Sequence, residues 1–206
     1  EKEAQIKSLN LQLDPHFMHN TLNLINLIAL EKGEDEISEL ISGLSFMMKY
    51  IAKKDNLVTF EEDLKYLQSY IAIMSKRFEG KFTVEFDVDP ALFPTTVPKF
   101  FLQPIIENAL IHGFEDLDRV GKLSIRCYLE DNVRVFIVQD NGKGMTREQV
   151  GRLMAESGSV GLSNVYRRIQ AIYGENYGVT VQSAPGEGTT VTVRMPMEAA
   201  RKGEAG

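Results

Sequence analysis

Apolar and polar residues recur along this chain with two different periods, and the change between them divides it. Over the first fifty residues the period is helical. Leu9, Leu13, Leu24, Leu27 and Ile28 share one helical face. After the break at "EKGEDE", Ile37, Leu40, Ile41, Leu44, Met47, Met48 and Ile51 share another. The short connection at Gly33 predicts an antiparallel hairpin. One hairpin buries too little apolar surface to stand alone, so two are expected to pair as a four-helix dimer.

Beyond the linker "AKKDNLVT", Thr59 and Glu62 have capping-box spacing and open a helix to about Phe78, with Leu64, Leu67, Ile71 and Met74 on its buried face. The texture then changes. "KFTVEFDV" alternates as a strand does, and "VPKFFLQPIIENALIHG" reads as a buried helix opened near Pro98 and closed by Gly113. "GKLSIRCYLE" and "VRVFIVQD" read as strands joined by a turn at Asp131-Asn132. "GLSNVYRRIQAIYG" is a helix, followed by the strands "YGVTVQSA" and "GTTVTVRMP". The expected class is α+β: a helical hairpin over 1–57, helices on a largely antiparallel sheet over 58–196, and an unstructured tail over 197–206.

Composition narrows the function. The net charge of -6 leaves no broad basic field for nucleic acid. No apolar run approaches the roughly 20 residues needed to span a bilayer, so direct membrane contact by this segment is not expected. Cys127 stands alone, which excludes an internal disulfide. A first residue of Glu leads us to expect a segment of a longer protein.

Four stretches carry candidate chemistry. In "QDNGKGM", Asp140 ends a strand and is followed by Gly142 and Gly144; the stretch suits a carboxylate that accepts an exocyclic amine, and equally a plain Asp-Asn-Gly turn. In "PIIENALIHG", Asn108 and His112 share a helix face with Glu107 about 100° away; Asn108 can offer a hard oxygen to Mg²⁺, or the face is simply hydrogen-bonded surface. In "SGSVGLSNV", Gly158 and Gly161 precede a helix N-terminus fit for a phosphate, or form a flexible loop with an N-cap. The small and polar run from Gly142 to Ser159 suits a mobile lid. In "LQLDPHFMHN", Pro15 interrupts a helical run at a cost of about 3 kcal/mol. Pro15 removes the N–H that would bond the Leu11 carbonyl, which predicts a kink beside His16. On the helical count His16 lies about 20° outside the apolar stripe, on a reachable rim.

In order, these motifs resemble the GHKL (Bergerat-type) ATP-binding domain shared by histidine kinases, gyrase, Hsp90 and MutL. "FLQPIIENALIHG" resembles its N box, "DNGKGM" its G1 box, "VGLSNVYRRI" its G2 box and "GEGTTVTVRMP" its last strand pair. "LQLDPHFMHNTLN" resembles the phospho-acceptor segment of LytS/YesM-type sensor histidine kinases. The resemblance implies a protein-histidine kinase that uses ATP and Mg²⁺, the cytoplasmic portion of a membrane-anchored bacterial sensor. His16 would accept the phosphoryl group and pass it to an aspartate of a response-regulator receiver domain. Asn108 would hold Mg²⁺, Asp140 would read adenine, and His112, Gly142, Gly144, Gly161, Leu162 and Thr189 would complete the nucleotide site. Phe17 stands where many such kinases carry an acid, so the proton acceptor is either Asp14 or Glu107. Ser159 replaces the usual first glycine of the G2 box. A non-catalytic nucleotide-binding scaffold is the alternative function.

Overall fold

A computed structural model describes residues 15–155 and 161–197 of the chain. The kink expected at Pro15 involves the Leu11 carbonyl and lies outside the described residues, as do Asp14, Gly158, Ser159 and nearly all of the expected tail.

The chain divides into two compact units. The first runs to Lys54 and includes Gln68–Ile73; the second holds Asp55–Leu67 and the described residues from Met74 onward. In the first, helix α1 (Pro15–Glu31) and helix α2 (Asp35–Ala52) form the expected hairpin around Gly33. Its seam is partly polar: Ser38 Oγ donates to Asn26 Oδ1 at 2.6 Å, and Ala29, Met47 and Tyr50 are buried. Leu9 and Leu13 of the first expected stripe lie outside the described residues, and among the described ones much of both stripes is exposed. Leu24 and Leu27 are each 58% exposed, and Ile28, Ile37, Leu44 and Ile51 are exposed with them.

The second unit is a two-layer α/β sandwich. After β1 (Leu57–Thr59), Thr59 Oγ1 accepts the Glu62 N–H and caps helix α3 (Phe60–Arg77), as the spacing predicts. The main sheet has strands β2 (Phe82–Val88), β4 (Gly121–Glu130), β5 (Val133–Asp140), β6 (Gly178–Ala184) and β7 (Gly188–Pro196) in the order β2-β4-β5-β7-β6. Its pairs are antiparallel except β2 with β4, which is parallel. Asp131 and Asn132 both have positive φ, so the β4–β5 hairpin closes on the primed type of turn that matches strand twist. The core is aromatic where α3 meets the sheet: Phe60 and Phe101 each pack edge-on to Phe136, with centroids 5.1 and 4.9 Å away. Arg134 is buried and satisfied by carbonyls; its Nη1 donates to Thr96 O at 2.6 Å and its Nε to Pro196 O at 2.8 Å.

The helix expected to open near Pro98 does not. Pro98 ends a short strand, β3 (Thr96–Pro98), antiparallel to β1. Phe100 then turns the chain at φ 62°, and helix α4 begins only at Gln103 (Gln103–Glu107). From Asn108 to Gly113 the same helix widens into a π-helical turn, a form that concentrates at functional sites. The expected lid is in part helical: α5 spans Arg147–Ala155. Helix α6 (Leu162–Tyr173) follows, with Gly161 as its N-cap.

Candidate functional site

Between the widened end of α4, the end of β5, helix α5 and the start of β7 lies a cleft of about 380 Å³. Ile105, Ala109, Val138, Met145, Leu162 and Val191 make its walls apolar. The period of each element explains the placement. Ile105, Ala109 and His112 follow helical spacing on one face, and Val138 and Asp140 point to one side of β5 by strand alternation.

Asp140 is the buried acid of the cleft, only 8% exposed. Its Oδ1 accepts the Gly142 N–H at 2.8 Å and the Thr189 N–H at 3.3 Å. Both bonds fall on one oxygen, which leaves Oδ2 for a donor on a ligand. Burial pushes the Asp140 carboxyl above its ordinary range, and the two backbone N–H groups pull it partly back. Met145 N–H donates to Ser183 Oγ at 2.8 Å, and Ser183 also hydrogen-bonds the Thr189 hydroxyl at 2.9 Å, so the loop after β5 is pinned to the β6–β7 pair.

Gly142 and Gly144 are tightly packed against neighbouring backbone. A side chain at Gly142 would collide with the Gly113 carbonyl, and one at Gly144 with the Ala184 carbonyl. The two glycines let the loop close on its own neighbours, which fixes Asp140 and Met145.

Basic groups gather at the rim. His112 is exposed and lines the cleft with Lys143 and Arg152. Lys143 Nζ donates to Glu115 at 2.9 Å and holds that exposed carboxyl below its usual range. Arg152 pairs with Glu148 along α5. Asn108 lines the same cleft, half-buried. Among the described residues no group of three or more His, Cys, Asp or Glu is placed to hold a metal ion. A single amide oxygen suits Mg²⁺, which keeps several waters and phosphate oxygens and needs few protein ligands.

Of the residues marked from sequence, Asn108, His112, Asp140, Gly144, Leu162 and Thr189 meet at this cleft. Gly142 supports it through Asp140, and Gly161 caps the helix that Leu162 begins. Glu107 does not line it; that carboxylate accepts a bond from Gln103 on its own helix. His16 belongs to the other unit, where it is exposed and its Nδ1 lies 3.3 Å from Asn20 Nδ2. Sequence reasoning missed Lys143, Gln149, Arg152 and Leu153. For the last three the available signal was the Thr146–Gln149 pair, whose side chains each bond the other's N–H and cap α5.

Comparison with known proteins places this geometry. Residues 4–82 match the family described as "Histidine kinase", and residues 99–199 match "Histidine kinase-, DNA gyrase B-, and HSP90-like ATPase". The chain belongs to the histidine kinase family. Sensor histidine kinase YesM of Bacillus subtilis is 32% identical over 95% of the chain, and sensor protein LytS of the same organism is 29% identical over 98%. The chain spans about a third of the length of these relatives, 34% and 35%. The histidine kinase domain of an Erythrobacter litoralis blue-light activated histidine kinase shares the fold. The likeness covers 84% of this chain and 86% of that one, at TM-score 0.53 and 20% identity. Acinetobacter baumannii histidine kinase AdeS gives 0.50 at 18% identity, over 90% and 96%. The family expected from the motifs is thus the family found, and the second matched model spans the whole cleft.

Proposed function

We propose that this histidine kinase segment binds ATP in the cleft, transfers its terminal phosphoryl group to His16, and passes that group to an aspartate of a response-regulator receiver domain. One observation carries the reading: four separate segments converge on an apolar cleft with a single buried carboxylate, an amide oxygen and a basic rim. The apolar walls suit a base, Asp140 Oδ2 its exocyclic amine, and His112, Lys143 and Arg152 the phosphates.

Bound Mg²⁺ would neutralise phosphate charge, and Asn108 is the residue that would hold it. His16 attacks the γ-phosphorus through an imidazole nitrogen. An N–P bond forms, the P–O bond to ADP breaks, and the imidazole proton leaves. Glu107 is the candidate among the described residues to take that proton. The exposed aliphatic row of α1 and α2 supports a homodimer through the hairpins. We take residues 1–57 as dimerisation and acceptor domain and 58–196 as ATP-binding domain. No helix among the described residues is long and apolar enough to cross a membrane. We place the segment on the cytoplasmic side of a membrane-anchored bacterial sensor.

Incubation with γ-labelled ATP and Mg²⁺ tests this. The expected product is an acid-labile, base-stable label on the protein; ATP binding with no label would replace the reading with a non-catalytic nucleotide-binding module. Asn108→Asp is expected to slow labelling at least roughly 10- to 100-fold, the loss that follows even from disturbing a ligand's own partners. Its melting temperature should stay at the wild-type value. Unchanged labelling would remove Asn108 from the site.

Asp140→Asn separates binding from stability. The new Oδ1 can still accept the Gly142 and Thr189 N–H groups, but Nδ2 would face the adenine amine, donor against donor. ATP affinity should fall by about 1–3 kcal/mol, measured by calorimetry. Free of ligand, the variant should melt no lower than wild type. The folded-state pKa of Asp140 is raised, so its favourable contribution is complete at low pH and is lost as pH rises through that value. The substitution should remove that part of the pH slope; a steeper slope in the variant would contradict the assignment.

A further inference from the structure

We infer that Gln103 and Tyr66 are positioning residues for the Glu107 carboxylate, a step that rests on reading Glu107 as the proton acceptor. Gln103 Nε2 donates to Glu107 Oε1 at 2.7 Å, one turn further along the helix. The same Gln103 amide is a hydrogen-bond partner of the Tyr66 hydroxyl. Tyr66 is only 4% exposed and its hydroxyl titrates higher than usual, chiefly through burial and further through the charges of Glu107 and Asp63. A chain of polar groups therefore runs from the interior to Glu107: phenol, amide, carboxylate.

The base of that chain is held firmly. Asp63, 3% exposed on α3 one turn before Tyr66, accepts the Phe100 N–H at 2.8 Å. Phe100 sits at φ 62°, in the left-handed region that a bulky residue enters only when its surroundings impose it. Its ring packs edge-on to Tyr66 with centroids 4.9 Å apart. Phe100 lies three residues before Gln103, so the turn that begins α4 is clamped to α3 at the backbone, at the ring and at the amide. An amide N–H on one carboxylate oxygen fixes the plane of the other oxygen. Proton acceptance during phosphoryl transfer depends on that placement, since small displacements of a catalytic group reduce rate steeply.

The test is a cycle of Gln103→Leu, Tyr66→Phe and Glu107→Gln, read as the single-turnover rate of label appearing on His16 at saturating Mg²⁺-ATP, with ATP affinity and melting temperature measured alongside. Gln103→Leu should slow the saturated rate roughly tenfold and Tyr66→Phe roughly threefold, with ATP affinity unchanged. In a Glu107→Gln background neither should slow the reaction further. If Glu107→Gln is slow and Gln103→Leu either has no effect or multiplies that loss, the positioning role is overturned and the proton-acceptor reading stands. A wild-type rate in Glu107→Gln overturns both. A loss in Gln103→Leu that appears wholly in ATP affinity, or wholly in melting temperature, also overturns the role, because those are the marks of a merely structural residue.

Discussion

His16→Gln is expected to abolish ATP-dependent labelling of the protein while leaving ATP affinity and melting temperature as they are. The side chain is exposed, so its replacement by another polar residue should change stability by less than about 0.5 kcal/mol. The bond to Asn20 is exposed too and can be made by an amide. His16 belongs to the first compact unit and the cleft to the second, so the nucleotide walls keep every residue they have. The reaction, however, has no route without a nitrogen nucleophile, and glutamine's amide nitrogen has no available lone pair. Full labelling in the variant would mean that another group is the acceptor; His19, which lies 3.5 Å from Asn23 in the same kind of pairing, would be the next to replace.

Gly188→Ala should have the largest effect on the fold. Gly188 has φ 87°, and an added methyl would run into the Asp140 carbonyl and lie 2.9 Å from Asn141 Cα. The left-handed backbone costs a residue with a side chain about 1–2 kcal/mol, and forcing backbone against backbone adds about 1–3 kcal/mol. The sum is a large share of the roughly 5–15 kcal/mol that holds a domain together. Calorimetry should show melting lowered by on the order of 10 °C. Because the displaced atoms belong to Asp140, ATP affinity should fall with it. Gly186→Ala is the control. Gly186 has φ 82° but nothing within 4 Å of the added methyl, so it should bear the backbone cost alone and keep its ATP affinity. Equal losses in the two variants would show that the close approach at Gly188 is unimportant.

Local signals in the sequence were legible where chemistry acts over a few residues. Thr59 with Glu62, Asp131 with Asn132, and the alternation of β4, β5 and β7 each announce their element without help from the rest of the chain. In the run from Val97 to Gly113 the helix and its end at Gly113 are legible, but its opening is placed too early, because the residues from Val97 to Leu102 are mostly apolar and show no period of their own. Between β3 and α4 the Phe100 N–H donates to Asp63, 37 residues away in sequence, a partner no local pattern reports; Pro104, in the first turn of α4, is the local mark of the later start. The parallel pairing of β2 with β4 is equally a matter of distant partners. Helix α5 was read as lid because its composition is polar and only its cap pair marks it. Of the expected stripe of α1, Leu9 and Leu13 lie outside the described residues, and nothing among the described residues covers Leu24 or Leu27. Of the cleft, Asn108, His112, Asp140 and Thr189 stand out by motif, whereas Lys143, Gln149 and Arg152 look like ordinary surface polar residues, and Met145, Leu153 and Val191 are ordinary hydrophobes that become walls only once the chain has folded.

Helix α3 gives residues to both compact units, Phe60–Leu67 to one and Gln68–Ile73 to the other. The unit that holds the cleft therefore has no clean seam at which to be cut out. A fragment begun at residue 58 would carry Gln68–Ile73 without the hairpin grouped with them, including Gly43 of α2, where an added methyl would lie 3.4 Å from Ser69 Cβ. Dissection of this histidine kinase family member is better done by point substitution within the intact segment than by scissors.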